Sequence, residues 1–110
     1  MPKLVDRAKV YTTTTGTGTV TLSSAVTSFQ SFSSAGLLSG DVVRYLIEEG
    51  TSWEIGLGTI GSSTMTRTLT SSSTGSLLNL SGGATVSVIV SSADLGGLEQ
   101  DRFFFSRLGR

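Results

Sequence analysis

Between Asp41 and Thr59 the chain alternates apolar and other residues with a period of two. Val43, Tyr45 and Ile47 alternate with Val42, Arg44, Leu46 and Glu48. After Glu49-Gly50-Thr51, Trp53, Ile55 and Leu57 alternate with Glu54, Gly56 and Gly58. Two such runs joined by a short glycine-containing loop predict a β-hairpin. A pairing that sets Glu48 opposite Ser52 places Ile47 beside Trp53, Tyr45 beside Ile55 and Val43 beside Leu57. All six then share one face, and a one-residue slip would split them. Trp53, Tyr45, Ile47 and Ile55 are therefore the expected core. Gly56 and Gly58, on one face of a strand, are expected to let another chain or strand approach closely.

The same pattern continues on both sides. Residues 1–6 read as a loose arm. Arg7 to Tyr11 is a short strand, and Thr17 to Leu22 alternates Val20 and Leu22 with Thr17, Thr19 and Thr21, a threonine lane on a solvated face. Ser23 to Gly40 is turn-rich, with Phe29 and Phe32 as its apolar points. Thr64 to Thr70 reads as a strand with Met65, Arg67 and Leu69 on one side. Arg67 conflicts with its apolar neighbours, and either snorkels or pairs with Glu48, Glu49 or Glu54. Leu77 to Leu80 and Thr85 to Ser91 complete the strands. Short strands, Gly/Ser turns and no long helical period predict an all-β protein, an antiparallel sandwich or small barrel with a C-terminal extension. The expected division is an arm at 1–6, a β domain at 7–92 and a docking tail or closing segment at 93–110.

Composition narrows the function classes. The chain has 110 residues, of which 35 are Ser or Thr and 14 are Gly. Eight basic and eight acidic residues balance, which argues against a nucleic-acid binder held by bulk charge. An apolar run long enough to span a membrane is absent, as is the apolar core of a signal peptide at the N-terminus. The alternation of hydroxyl residues with Val, Ile and Leu argues against disorder. The expectation is a product made in the cytoplasm that folds without disulfides.

Candidate chemistry is sparse. Histidine and cysteine are absent, so Ser-His-Asp and Cys-His nucleophilic systems cannot be built and no thiolate metal site exists. No cofactor or metal is expected. Glu48 and Glu49 are adjacent and point to opposite faces, while Glu54 lies across the hairpin, so a glycosidase-like carboxylate pair is only nominal. Gly56-Leu57-Gly58 lacks the spacing and the following helix of a phosphate loop. Asn79-Leu80-Ser81 fits a glycosylation acceptor by chance. At the C-terminus, Phe103, Phe104 and Phe105 stand with Arg102, Arg107 and Arg110. Consecutive phenylalanines cannot all face one way on a strand. Aromatics beside arginine are the composition of interface hot spots. Arg102, Phe103, Phe104, Phe105 and Arg107 are therefore candidate partner-docking residues, against the alternative that this segment closes the core.

Thr12 to Leu22, Ala25 to Phe32, Trp53-Glu54-Ile55-Gly56-Leu57-Gly58-Thr59 and Thr66-Arg67-Thr68 together resemble a β-rich module recurrent in virion and tail-fibre-associated proteins of tailed bacteriophages. The likeness covers about residues 8 to 91. Val43-Arg44-Tyr45-Leu46 stands where that module usually begins its hairpin with more tyrosine, and Leu98 to Arg110 lies outside the likeness. The resemblance implies a non-enzymatic virion structural protein, a small tail- or fibre-associated connector or a capsid-decoration subunit. It implies other virion proteins as partners and a homo-oligomer, threefold symmetry being common in such assemblies. Nucleic acid and membrane are not expected partners. A carbohydrate-binding module for host-surface recognition is the alternative. It calls for exposed aromatic platforms, whereas Trp53 is expected to be buried.

Overall fold

A computed structural model describes residues 2–92 and 94 of the chain. The protein is all-β, with strands β1 (Lys9–Thr12), β2 (Thr15–Gly16), β3 (Val20–Thr21), β4 (Val42–Glu49), β5 (Ser52–Thr59), β6 (Thr64–Met65), β7 (Thr68–Ser72), β8 (Leu80–Ser81) and β9 (Ala84–Val88). A five-stranded sheet has the order β1-β9-β4-β5-β7. Two small ribbons, β2-β8 and β3-β6, complete the framework. All pairings between these strands are antiparallel.

The core lies between one face of the large sheet and the ribbons with their loops, a sandwich-like arrangement. Val10, Val43, Tyr45, Ile47, Ala84 and Val86 come from the sheet. Val20, Met65, Leu80, Phe32, Leu37, Ile60 and Leu78 meet them from the other side. Thr17, Thr19 and Thr21 are exposed as expected, but only Thr21 lies in a strand; Thr17 and Thr19 belong to the link between β2 and β3, so the threonines do not form a lane on a sheet face. The turn-rich segment after Leu22 has a structural task. It covers the free edge of β1 through Tyr11 N–H to Ser24 O (2.9 Å), Val26 N–H to Lys9 O (3.0 Å) and Lys9 N–H to Gln30 O (3.1 Å). Exposed sheet edges invite pairing with other chains, and this one is closed. Ahead of β1, Lys3 N–H donates to Val42 O (2.8 Å), and Lys3 Nζ lies 3.2 Å from Asp41 Oδ2.

The central hairpin forms as expected, but its register differs by one residue. Glu49 faces Ser52, Glu48 faces Trp53, Ile47 faces Glu54 and Tyr45 faces Gly56. Only Gly50 and Thr51 form the loop, and Gly50 adopts a φ of 62° while Thr51 stays out of the left-handed region. That is the type II′ hairpin turn, whose twist matches the strands. Counting Glu49 into the loop shifts the register and inverts one strand. Trp53, Ile55 and Leu57 consequently point away from the core, and Glu54, Gly56 and Gly58 point into it. The expected single apolar face is therefore incorrect. Tyr45 and Ile47 are core, whereas Ile55 is half-buried and Trp53 is 38% exposed.

The inward glycines explain why this register wins. A Cβ on Gly56 would collide with the Thr68 carbonyl oxygen of β7 and come within 2.6 Å of the Tyr45 hydroxyl. A Cβ on Gly58 would lie 2.6 Å from both Met65 Cγ and Thr66 O. The bare backbone lets β7 and the Tyr45 ring close onto β5. A bulge between β5 and β7 leaves Thr70 as the extra residue, because Ile55 pairs with Ser71 and Gly56 with Leu69. Gly56→Ala is expected to lower stability by about 3 kcal/mol or more through overpacking. Gly83→Ala, where nothing lies within 4 Å, should change it by less than about 1 kcal/mol. Urea denaturation of the two variants against the parent chain checks this pair.

Candidate functional site

Glu54 is fully buried in β5, and its carboxylate is saturated. Oε2 accepts from the Tyr45 hydroxyl (2.5 Å) and from Arg67 Nε (3.1 Å). Oε1 accepts from Arg67 Nη2 (2.5 Å) and from Leu78 N–H (2.8 Å). Arg67 is saturated as well. Beyond its bonds to Glu54, Nη1 donates to Gly16 O (3.2 Å) and Gly18 O (3.1 Å), and Nη2 donates to Leu78 O (2.8 Å). All five guanidinium N–H groups are thus used. Arg67 sits between β6 and β7, so one side chain ties together β5, the β2–β3 link and the segment before β8. Of the three partners weighed for Arg67, the structure selects Glu54.

The electrostatics follow from this geometry. Burial opposes ionisation of Glu54, but the hydrogen bonds from Arg67, Tyr45 and Leu78, with the Arg67 charge, outweigh it. The carboxyl is held below its ordinary value of 4.5. Tyr45 moves the other way: burial first, then the hydrogen bond and charge of Glu54, push its hydroxyl above the ordinary 10.0. The site is a closed ion pair with a neutral phenol. Each acceptor is occupied, so Glu54 has no lone pair with which to take a proton from a substrate.

Other carboxylates repeat the pattern nearer the surface. Glu49 accepts from Ser81 Oγ (2.8 Å), Ser81 N–H (3.0 Å) and Gly83 N–H (3.3 Å), which holds its carboxyl below the usual range. On the outer face of the sheet, Arg44 makes a two-pronged contact with Asp94, Nη2 to Oδ1 at 2.8 Å and Nε to Oδ2 at 3.1 Å. Arg44 Nη1 donates to the hydroxyl of the bulged Thr70 (2.8 Å). These bonds, those from Arg44 first, lower the Asp94 carboxyl despite its burial. No buried side-chain polar atom lacks a partner among the described residues.

A cavity of about 350 Å³ is lined by Val10, Leu22, Phe32, Leu37 and Ile60 with a rim of serines. Its lining offers hydroxyls and no acid or base to activate them. Among the described residues no three carboxylates converge as a metal site would require. Glu48 and Glu49 do face opposite sides, and Glu54 is locked inside.

Comparison of the chain with family models, curated proteins and solved structures gave no match. The functional reading therefore rests on geometry and on the sequence resemblance. The docking candidates Arg102, Phe103, Phe104, Phe105 and Arg107 lie outside the described residues. Sequence reasoning missed Glu54 as an organising group. Its signal was present as two anomalies: an acid in phase with two glycines, and an arginine among apolar positions.

Arg67→Met leaves the Glu54 carboxylate buried without a counter-charge, and is expected to cost about 3–5 kcal/mol in urea denaturation. Arg67→Lys, with three donors instead of five, should recover only part of that loss. The pH profile follows from the directions of the shifts. Glu49, Glu54 and Asp94 titrate below their unfolded values, so their stabilisation is complete above about pH 4.5 and is lost as pH falls through the folded values. Tyr45 titrates above its unfolded value, so its contribution is complete below about pH 10 and is lost as pH rises beyond it. With no histidine, Tm should stay flat between about pH 6 and 9. Thermal scans across pH check this, and Tyr45→Phe should weaken the alkaline fall.

Proposed function

We propose that this chain is a non-enzymatic structural subunit of a tailed-phage particle, a small tail- or fibre-associated connector or a capsid-decoration subunit. One observation carries the reading. The residues that resemble the phage module are scaffold residues. Glu54, Gly56 and Gly58 come from the tryptophan-bearing strand and Arg67 from the following motif, and together they form the saturated ion pair and the close strand contact. A motif used in this way marks a rigid carrier, whose work is done at its surface. Other virion proteins are its partners and self-association in a closed ring is its assembly mode. The segment carrying Arg102, Phe103, Phe104, Phe105 and Arg107 is the docking element.

A second reading is a carbohydrate-binding module for the host surface. It is favoured by the outward placement of Trp53, which the sequence pattern assigned to the core.

Deleting residues 98–110 is expected to abolish incorporation into particles while the remaining domain keeps its β-sheet circular dichroism and cooperative melting. Loss of folding in the truncated chain would instead make that segment part of the core. Antibody-gold labelling of purified particles places the subunit: label over the head indicates decoration, and label at the tail or one vertex indicates a connector. Intact particles without label, together with unchanged assembly of the truncated protein, would count against the virion reading.

A further inference from the structure

The register of the large sheet lines up four outward side chains in one row across four strands. Tyr11 on β1 pairs with Thr85 on β9, Thr85 with Glu48 on β4, and Glu48 with Trp53 on β5. Tyr11 is 45% exposed and Trp53 38% exposed, and Glu48 is exposed between them. Three strand spacings separate the two aromatic residues, about 14 Å. We propose that this row, Tyr11-Thr85-Glu48-Trp53, is a binding site for a neutral hexose oligosaccharide. The proposal rests on the carbohydrate-binding reading and supplies its residues and ligand class.

The chemistry of the row selects such a ligand. One face of a pyranose ring is lined by C–H groups and stacks on an aromatic ring, which presents a flat apolar surface with little conformational entropy to lose. The ring's edge is a belt of hydroxyls. Glu48 offers acceptors and Thr85 a hydroxyl that both donates and accepts. A pyranose ring is about as long as one strand spacing. Rings stacked on Tyr11 and Trp53 therefore leave room for about two more above Thr85 and Glu48.

The local charge is balanced. Lys9 Nζ lies 3.8 Å from Glu48 Oε1, beyond hydrogen-bond distance, so the two groups neutralise each other while both can still bond to hydroxyls. A balanced pair offers nothing to a polyanion such as nucleic acid. The face is the middle of a sheet, not an edge, so an extended peptide finds no backbone ladder there.

Both platforms stand on backbone held from two sides. Trp53 N–H donates to Ser73 Oγ (3.0 Å), and Trp53 O accepts from Ser73 N–H (2.9 Å). Tyr11 N–H donates to Ser24 O and Tyr11 O accepts from Ser23 N–H, each at 2.9 Å. A site on such braced strands requires little ordering on binding.

Trp53 is the only tryptophan, so its emission reports on the site directly. The full chain is titrated with cellohexaose, maltohexaose and chitohexaose, with glucose and N-acetylglucosamine as single-ring controls, by fluorescence and by calorimetry. At least one hexasaccharide should shift the Trp53 emission, and neither monosaccharide should do so at the same concentration. Tyr11→Ala should weaken binding by about tenfold, the loss of one stacked ring, with unchanged circular dichroism. Trp53→Ala, read by calorimetry, should do the same. Calorimetric binding that leaves the emission unmoved, or that survives both substitutions, would overturn the row and leave the carbohydrate-binding reading standing. No heat and no shift with any hexasaccharide would overturn both.

Discussion

The fold depends on a buried ion pair. Glu54 comes from β5 and Arg67 from the link between β6 and β7, and the bonds of Arg67 reach on to the carbonyls of Gly16, Gly18 and Leu78. Desolvating two charges is costly, and their attraction offsets the cost only when the remaining donors and acceptors are filled. Here they are filled: four bonds end on the carboxylate and five leave the guanidinium. The pair acts as a register lock. A one-residue slip of β5 would turn Glu54 out to solvent and bring a side chain against the Tyr45 ring and the β7 backbone.

This use of charge suits a chain poor in large apolar residues. Threonine and serine supply β-propensity and turns, but little buried area. Carboxylates then take over the task of holding loops. Glu49 ties the hairpin end to the turn before β9, Asp41 accepts from Leu38 N–H at 2.8 Å and from Lys3, and Asp94 closes on Arg44. Each staples segments distant in sequence, so the domain reaches specificity without disulfides. Glu49, Glu54, Asp41 and Asp94 are thereby committed to structure.

What remains for function is surface. One edge of the large sheet is covered by the segment after Leu22, while the outer face presents Tyr11, Glu48 and Trp53 in register. A rigid, neutral, hydroxyl-coated domain with such a face is well suited to repeated weak contacts. In a symmetric assembly, copies of one weak site act together and the effective concentration multiplies their affinity. The proposed virion role and the proposed glycan row are compatible on this basis.

The period of two made the hairpin at 42–59 and the all-β class legible from the sequence, and the paired glycines Gly56 and Gly58 signalled a close approach; the threonine alternation at 17–22 overstated a strand that is only Val20–Thr21. The absence of histidine and cysteine likewise bounded the chemistry without any coordinates. Register was a different matter. Alternation says which residues share a face within one strand, but the relation between two strands depends on the loop, and a loop of two or three residues leaves the same pattern on each side. Apolar content favoured Trp53, Ile55 and Leu57 inside. The tertiary structure chose Glu54, Gly56 and Gly58 instead, because only Arg67, Tyr45 and the Leu78 backbone, distant in sequence, could compensate a buried carboxylate. The sequence by itself thus determined the all-β class and the central hairpin, and left histidine and cysteine out of any chemistry. Which face of β5 became core, and which aromatics were left to solvent, was decided by contacts that exist only once the chain has folded.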